Sequence, residues 1–301
     1  MSQPVKPWHG INVATALPFD PELSVDYDAY AEHVAWLAAN GCHGVCPNGS
    51  LGEYQTLTEQ ERARVVRTAV AAGPEGFGVM PGVAAYGALE TRRWIEQAAE
   101  AGAQSVLMLP PNAFRAGEDA VLQHYRVAAE VGLPIVAYNN PIDTKVDLTP
   151  PLLARLHQEG LIVAVKEFTG DVRRAYELRE LAPELDLLVG SDDVLLELGI
   201  AGAVGWVAGY PNALPQSTVE LYDLVTSGDA ADIDKALPIY RDLHALLRWD
   251  SKTEFVQAIK LSMDVVGRPG GPCRPPRAAL DEVTATRVRT ATEAAVAAGY
   301  R

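Results

Sequence analysis

The sequence predicts an α/β protein that folds as a TIM (β/α)8 barrel with a C-terminal helical extension. Three observations lead to this fold class: a length of 301 residues, short apolar runs that alternate with amphipathic stretches, and the end of these runs near Gly228. Such alternation is typical of βα units in a parallel sheet. Eight units in succession favour a closed barrel, although spacing alone leaves an open doubly wound sheet as an alternative.

Eight apolar runs have the length and composition of buried strands. They span residues 11–17, 44–47, 77–81, 105–109, 135–138, 163–166, 187–190 and 204–207. Between them, amphipathic segments such as 26–39 and 89–101 are long enough to cross back over a sheet. Thr58 followed by Glu61 fits a capping box, which predicts that a helix begins there.

The last quarter of the chain has helical patterns but no strand patterns. We therefore expect a catalytic barrel over residues 8–228 and a helical extension over residues 229–301. Helices are predicted over 233–247, 254–266 and 280–298. The segment 267–276 is dense in Gly and Pro and predicts an irregular connection.

Composition indicates which partners and which cellular compartment to expect for this protein. Twenty-five Lys and Arg against 39 Asp and Glu give a net charge of −14, which disfavours nucleic acid and anionic membranes as partners. Three cysteines form no disulfide framework, the first ten residues lack a secretory pattern, and no apolar run approaches the roughly 18 residues of a membrane helix. These features predict a cytoplasmic protein.

Active sites of such barrels form at the carboxyl ends of the strands. Three predicted strand ends carry reactive or polar side chains, in the segments 48–53, 138–141 and 166–170. Lys166 follows an apolar run, so burial there would lower its pKa and leave a neutral amine able to attack a carbonyl. The alternatives are a lysine that extends into solvent or one that pairs with Glu167.

Two further segments have both a functional and a structural interpretation. Tyr138 ends another apolar run and could move protons near an imine, or it could be a core residue whose hydroxyl bonds to backbone. Gly49, Ser50, Leu51 and Gly52 offer backbone amides and a hydroxyl for a carboxylate, or they form an ordinary tight turn.

Other clusters favour structural roles. Cys42, His43 and Cys46 lack a fourth metal ligand at the usual spacing, so buried thiols are the better interpretation. Asp192 and Asp193 precede an apolar helical segment, which favours helix capping over metal binding. No dinucleotide fingerprint follows the first strand, so no nicotinamide cofactor is expected.

Together, GSLGE at 49–53, YNNP at 138–141 and VKEFTGD at 165–171 resemble the dihydrodipicolinate synthase and N-acetylneuraminate lyase family. The resemblance covers the chain from near Gly10 to the segment that ends at Lys260. It implies a Schiff base between Lys166 and a small keto acid such as pyruvate, and a proton relay through Tyr138. It further implies a homotetramer without metal or other cofactor. The substrate-binding residues that it suggests are Gly49, Ser50, Leu51, Asn140, Ser191 and Val207.

Three departures from the family pattern bear on the reaction. Leu51 stands where the synthases carry a second hydroxyl, Ala113 where they place a relay tyrosine, and Asp143 where they place an arginine that holds an aldehyde substrate's carboxylate. An aspartate there would repel such a carboxylate. YNNP, the Gly-Asp at 170–171 and the segments 190–193 and 205–209 most resemble the 1-pyrroline-4-hydroxy-2-carboxylate deaminase branch, which implies dehydrating deamination of a cyclic imino acid. Aldol cleavage or condensation with pyruvate, and non-catalytic binding of a keto acid, remain alternatives.

Overall fold

A computed structural model describes residues 6–301, so the first five residues of the N-terminal pattern lie outside the described chain. The described residues form a (β/α)8 barrel with additional C-terminal helices, which confirms the predicted fold class. All eight predicted strands are present. They are β1 Gly10–Ala14, β2 Gly44–Cys46, β3 Gly78–Val79, β4 Val106–Met108, β5 Ile135–Asn139, β6 Ala164–Glu167, β7 Asp186–Val189 and β8 Gly205–Ala208.

The strands form one parallel sheet that closes on itself. Hydrogen-bonded neighbours follow the order β3-β2-β1-β8-β7-β6-β5-β4. The two ends of this order meet just beyond β3, where Gly82 and Leu107 form a parallel bridge. There the Leu107 N–H donates to Pro81 O and the Val83 N–H donates to Leu107 O, both at 3.0 Å. The open-sheet alternative is therefore wrong.

Helices pack around the outside of the sheet. They are α1 Tyr27–Ala39, α2 Glu59–Ala72, α3 Ala88–Ala101, α4 Glu118–Ala129, α5 Pro141–Thr144, α6 Pro150–Gln158, α7 Arg173–Leu181, α8 Leu195–Ile200 and α9 Pro215–Thr226. The capping box is confirmed: the Glu61 N–H donates to Thr58 Oγ1 at 3.2 Å, and the Thr58 N–H donates to Glu61 Oε2 at 2.8 Å.

Alternation along the strands divides the core into an inside and an outside. On β6, Ala164 joins the inner cluster with Trp8 and Val207, whereas Val165 belongs to the larger cluster between the sheet and the helices. Successive side chains of a strand point to opposite faces. Lys166 therefore shares the inner face with Ala164, and Glu167 points outward.

The C-terminal extension consists of α10 Ala230–Leu247, α11 Phe255–Val265 and α12 Glu282–Ala297. Residues 267–276 contain no helix or strand, as predicted. The extension is joined to the barrel by a buried ion pair in which Lys260 Nζ lies 2.9 Å from Glu53 Oε1. The division at residue 228 stays a prediction. Between residues 6 and 301, no helix is both long and apolar enough to cross a membrane.

Candidate active site

Lys166 lies on the inner face near the carboxyl end of β6, and only 6% of its surface is exposed. Its Nζ is 4.2 Å from the centroid of the Tyr138 ring and 5.7 Å from that of Phe168. Burial lowers the pKa of Lys166 below its ordinary value, against the opposing effect of the nearby Asp250 carboxyl. The surroundings therefore raise the fraction of the amine that is neutral and nucleophilic.

Both structural alternatives for Lys166 are wrong. The side chain is too deeply buried to extend into solvent. Glu167 lies on the other face of the strand, where its carboxylate accepts hydrogen bonds from Asn139 Nδ2 at 3.0 Å and from the Thr169 N–H at 2.6 Å. Lys166 forms no ion pair with it. The amine is thus open to the barrel interior.

Tyr138 is the register partner of Lys166 on the neighbouring strand β5. Its hydroxyl accepts a hydrogen bond from Asn140 Nδ2 at 3.3 Å, and the same amide group donates to Asp143 Oδ2 at 2.8 Å. The alternative in which the hydroxyl bonds to backbone is therefore wrong. Burial, with a smaller contribution from Asp250, raises the pKa of Tyr138, so the phenol keeps its proton. A neutral phenol beside an amine can donate a proton to a reacting oxygen.

The loop after β2 is a tight turn that leaves polar backbone groups free. The Gly52 N–H donates to Gly49 O at 3.1 Å, and Glu53 adopts a left-handed conformation with φ 53°. Within residues 6–301, the N–H groups of Ser50 and Leu51 form no hydrogen bond. Leu51 buries its side chain in the core and offers only backbone. The turn prediction is confirmed, and the free N–H groups keep the carboxylate-binding hypothesis open.

These residues surround one cavity of about 620 Å³ at the carboxyl ends of the strands. A volume of this size suits a small organic ligand. Of the predicted site residues, the cavity is lined by Gly49, Ser50, Leu51, Tyr138, Asn140, Lys166 and Val207. Ser191 is buried beside the cavity but does not line it, and its hydroxyl accepts a hydrogen bond from Ser251 Oγ at 3.4 Å. Its binding role stays a prediction.

Asp250 is a cavity residue that the sequence did not reveal. It lies in the turn between α10 and α11, is 9% exposed, and lines the same cavity as Lys166. Burial raises the pKa of Asp250 to about 6, although the neighbouring Lys166 acts in the opposite direction. No motif marks this residue, because the turn belongs to the helical extension and reaches the cavity only through the tertiary fold.

The capping role predicted for Asp192 and Asp193 is wrong. Helix α8 begins at Leu195 without a side-chain cap. The Asp192 carboxyl instead accepts hydrogen bonds from three N–H groups that lie on or just after β8: Trp206 Nε1 at 2.9 Å, the Gly209 N–H at 3.1 Å and the Tyr210 N–H at 2.9 Å. Asp193 accepts one from Ser251 Oγ at 2.8 Å. A fully buried carboxyl gains more from several fixed donors than from one helix terminus.

The cysteines near β2 are buried thiols, as predicted. Burial raises the pKa of Cys42 and of Cys46 to about 12, so both keep their protons. His43 is exposed, and its Nδ1 accepts a hydrogen bond from the Ile11 N–H at 3.2 Å. In the part of the chain that the structure describes, no group of three or more His, Cys, Asp or Glu side chains is placed to hold a metal ion.

Two residues that depart from the family pattern lie at or near the mouth of the cavity. Asp143 is exposed and lines the mouth, and Ala113 is exposed nearby without a hydroxyl to offer. Two cations from the extension also line the cavity, Lys252 and Arg277. Neither forms an ion pair with any acidic side chain of residues 6–301. They provide local positive charge in a protein of net charge −14.

The fold and the cavity together define a (β/α)8-barrel protein with a buried lysine and a tyrosine side by side at the carboxyl ends of adjacent strands. The sequence profile of the dihydrodipicolinate synthetase family matches residues 7–295. An uncharacterised DapA-like lyase of Halobacterium salinarum is 33% identical over 281 residues, covering 91% of this chain and 90% of that protein. The chain belongs to the dihydrodipicolinate synthetase family and is a lyase of that family.

Further relatives agree in sequence and in structure. The 4-hydroxy-tetrahydrodipicolinate synthase of Methanothrix thermoacetophila is 32% identical over 288 residues, covering 94% of this chain and 95% of that one. The crystal structure of dihydrodipicolinate synthase from Aquifex aeolicus has a TM-score of 0.89 and 26% identity, with coverage of 95% and 97%. YagE, a prophage protein of this family from E. coli K12 solved in complex with pyruvate, has a TM-score of 0.88 and 26% identity, with coverage of 95% and 98%.

Proposed function

We propose that this protein is a class I lyase that binds a small 2-keto acid as a Schiff base on Lys166. The observation that carries the proposal is the position of the Lys166 amine. It is buried, forms no ion pair with a carboxylate of residues 6–301, and lies 4.2 Å from the Tyr138 ring centroid in an open cavity. A desolvated amine beside a protonated phenol has the groups that imine formation requires.

The chain's own residues supply each part of this chemistry. The Ser50 hydroxyl and the free N–H groups of Ser50 and Leu51 bind the substrate carboxylate. The Lys166 amine then adds to the keto carbon, and water leaves to form the imine. Tyr138 donates and accepts protons at the reacting atoms, while Asn140 positions its hydroxyl. The protonated imine withdraws electrons from the neighbouring carbon, so a bond there can break.

Borohydride reduction in the presence of pyruvate tests this proposal. The expected result is one reduced pyruvate adduct per chain, which peptide mass mapping locates on Lys166. Lys252 lines the same cavity and serves as the internal control. An adduct on Lys252 that persists in Lys166→Ala, or the absence of any adduct, would contradict the proposal and favour a non-catalytic keto-acid-binding relative.

For the specific reaction we propose dehydrating deamination of a hydroxy-pyrroline carboxylate. In this substrate the hydroxyl is bonded to the second carbon away from the imine carbon. Loss of this hydroxyl as water needs no aldehyde partner. Asp143 at the mouth supports this choice, because a carboxylate there repels the carboxylate of an aldehyde substrate. The test is ammonia release from hydroxy-pyrroline carboxylate by the purified enzyme.

Aldol cleavage or condensation with pyruvate is the second candidate. It is favoured by relatives named 4-hydroxy-tetrahydrodipicolinate synthase and by the relative solved with pyruvate. A substrate panel scored for ammonia, aldehyde and keto acid separates the two reactions. Aldehyde formation or consumption without ammonia would reject the deamination and retain the Schiff-base mechanism.

We further propose that the protein acts in the cytoplasm as a homotetramer, without nucleic-acid or membrane partners. Large exposed apolar side chains support self-association: Tyr86 is 72% exposed, Phe114 58% and Ile142 58%. Such residues favour contact with another protein surface. Light scattering that reports four chains per particle is the expected result, and a monomer would contradict it.

A further inference from the structure

Asp250 is a buried carboxyl whose function the proposed scheme does not use. Its Oδ2 accepts a hydrogen bond from the Asp192 N–H at 3.3 Å. Among residues 6–301, no group donates to its Oδ1. A Cβ atom at position 209 would lie 2.8 Å from this oxygen, so Gly209 leaves the space that the carboxyl occupies. Asp250 thus lines the reaction cavity with a buried carboxyl that has one oxygen without a hydrogen-bond donor.

The turn that carries Asp250 is fixed to the barrel. The adjacent Ser251 Oγ donates to Asp193 Oδ1 at 2.8 Å, and His244 Nε2 lies 3.3 Å from Asp193 O. The turn therefore rests on the segment that follows β7, which is the strand next to β6. Asp250 is held in place before any ligand arrives, as a positioned acid or base must be.

Charged and titratable groups from several elements act on Asp250 or are affected by its charge. They are Lys166 on β6, Tyr138 on β5, Asp192 and Asp193 after β7, and Tyr210 after β8. Asp192 accepts hydrogen bonds from three N–H groups, which favour its anion, whereas Asp250 accepts one. Burial and the neighbouring Asp250 charge raise the pKa of Asp192, and burial raises that of Asp250. Two neighbouring carboxyls resist joint ionisation, so the pair retains a proton, and Asp250 is the member that lines the cavity.

We propose that Asp250 is a further catalytic residue, the general acid that protonates the hydroxyl of the carbinolamine formed on Lys166. This role rests on the proposed Schiff-base function and specifies how its imine is made. The extension would thereby contribute a reacting group to a cavity that is otherwise formed by the barrel.

The step balances with the groups present. The neutral amine adds to the keto carbon, and one of its protons passes to the former carbonyl oxygen, which gives the carbinolamine. The Asp250 carboxyl then donates its proton to that hydroxyl, the C–O bond breaks, and water leaves. The nitrogen lone pair forms the C=N bond. The product is a cationic imine beside the new Asp250 carboxylate, and the two opposite charges attract in a water-poor site.

The test follows imine formation from pyruvate by rapid mixing, timed borohydride quenching and intact mass, from pH 5 to pH 8. Asp250→Asn keeps the shape and the acceptor for the Asp192 N–H. It also removes the repulsion between the two carboxyls, so we expect a folded variant with a melting temperature at or above that of the wild type. Asp234→Asn is the matched control, because Asp234 is exposed on α10 and does not line the cavity.

We expect Asp250→Asn to form the imine about a hundredfold more slowly, the usual scale for general acid catalysis, while Asp234→Asn matches the wild type. The wild-type profile should inflect near pH 6, where Asp250 titrates, and the variant should lose this inflection. A purely electrostatic role predicts the opposite sign, because the Asp250 charge raises the pKa of Lys166 and its removal would free more neutral amine.

Imine formation at the wild-type rate or faster in Asp250→Asn would overturn the role of Asp250 and leave the Schiff-base function intact. A wild-type profile without an inflection near pH 6 would also overturn it, whatever the variant does. Absence of any adduct in the wild type would overturn the proposed function itself, and this outcome is separate from the other two.

Discussion

At the scale of single residues, strand alternation decides the chemistry of neighbouring side chains. Lys166 and Glu167 are adjacent in sequence and both buried, yet one lies inside the barrel against two aromatic rings and the other outside it. Burial therefore shifts the pKa of each side chain independently of the other. It lowers the pKa of Lys166 and raises that of Glu167. The pleat of one strand keeps this amine and this carboxyl apart and prevents them from forming an ion pair.

The first prediction concerns the Tyr138 hydroxyl. Tyr138→Phe keeps the ring against Lys166 but removes the only proton donor on that ring, so we expect kcat to fall by about 10²- to 10⁴-fold with a small change in KM. Steady-state kinetics on the substrate found by the panel measure this. Tyr54→Phe removes a hydroxyl from the same cavity wall and is the control. An equal fall of kcat in Tyr138→Phe and Tyr54→Phe would contradict a special role for Tyr138.

At the scale of elements, the extension holds the loop proposed to bind the carboxylate. Glu53 ends the GSLGE turn, is fully buried, and accepts hydrogen bonds from Lys260 Nζ on α11 and from the Arg274 N–H, both at 2.9 Å. The Arg274 guanidinium also pairs with Glu61 at the start of α2, at 2.6 Å. The irregular segment 267–276 is thus tied to both ends of the loop that connects β2 to α2.

We expect Lys260→Met to lower the free energy of unfolding by about 3–5 kcal/mol, because it leaves the buried Glu53 carboxylate without its cation. Denaturant unfolding followed by circular dichroism measures the change. Lys235→Met is the control, since it breaks an exposed pair with Asp232 at 2.7 Å and should cost less than about 1 kcal/mol. A similar loss of unfolding free energy in Lys260→Met and Lys235→Met would show that the buried Lys260–Glu53 pair does not hold the loop between β2 and α2.

Elements and site were predictable from sequence to different degrees. The strands and the positions of Lys166 and Tyr138 could be predicted, because apolar runs mark buried strands and their last residues must lie at one rim. Asp250 could not be predicted, since only the packing of the α10–α11 turn against the segment after β7 brings it to the cavity. The capping prediction for Asp192 was wrong because the competing donors come from the neighbouring strand β8 and the residues after it, which only the fold brings close.

At the scale of the whole molecule, the barrel is closed at its amino-terminal end by the first described residues. Trp8 packs into the inner cluster, and its Nε1 donates to Asp186 Oδ2 on β7 at 2.8 Å. Lys6 Nζ and His9 Nε2 contact the same oxygen, at 2.8 and 2.9 Å. The reaction cavity lies at the opposite end of the barrel, at the carboxyl ends of the strands. We therefore expect these contacts to affect the stability of the protein and not its reaction.

This closure predicts a pH dependence of stability. Burial opposes ionisation of Asp186, but His9, Lys6 and Trp8 outweigh it and lower the pKa of Asp186 to about 2. A lowered carboxyl pKa stabilises the fold above the unfolded value of about 3.9, and this stabilisation is lost as the pH falls towards 2. Asp186→Asn should therefore be less stable than the wild type at pH 7, by on the order of 1 kcal/mol because solvent screens the pair.

Melting temperatures from pH 7 to pH 3 measure this effect. The gap between the wild type and Asp186→Asn should narrow as the pH falls below about 4. The difference in melting temperature between the wild type and Asp234→Asn should not change over this pH range, since the Asp234 side chain forms no ion pair with another described residue. A gap that stays constant or widens in acid would contradict the proposed role of the Asp186 carboxylate.

The central claim is that burial lowers the pKa of the Lys166 amine, and so raises its uncharged fraction, where a keto acid can reach it. An NMR titration of protein labelled with [ε-¹³C]lysine tests this most directly, with the Lys166 signal assigned by its loss in Lys166→Arg. The predicted result is a midpoint below the ordinary lysine value of about 10.4. A midpoint at or above that value would show that burial does not lower the pKa of the amine and would contradict the mechanism.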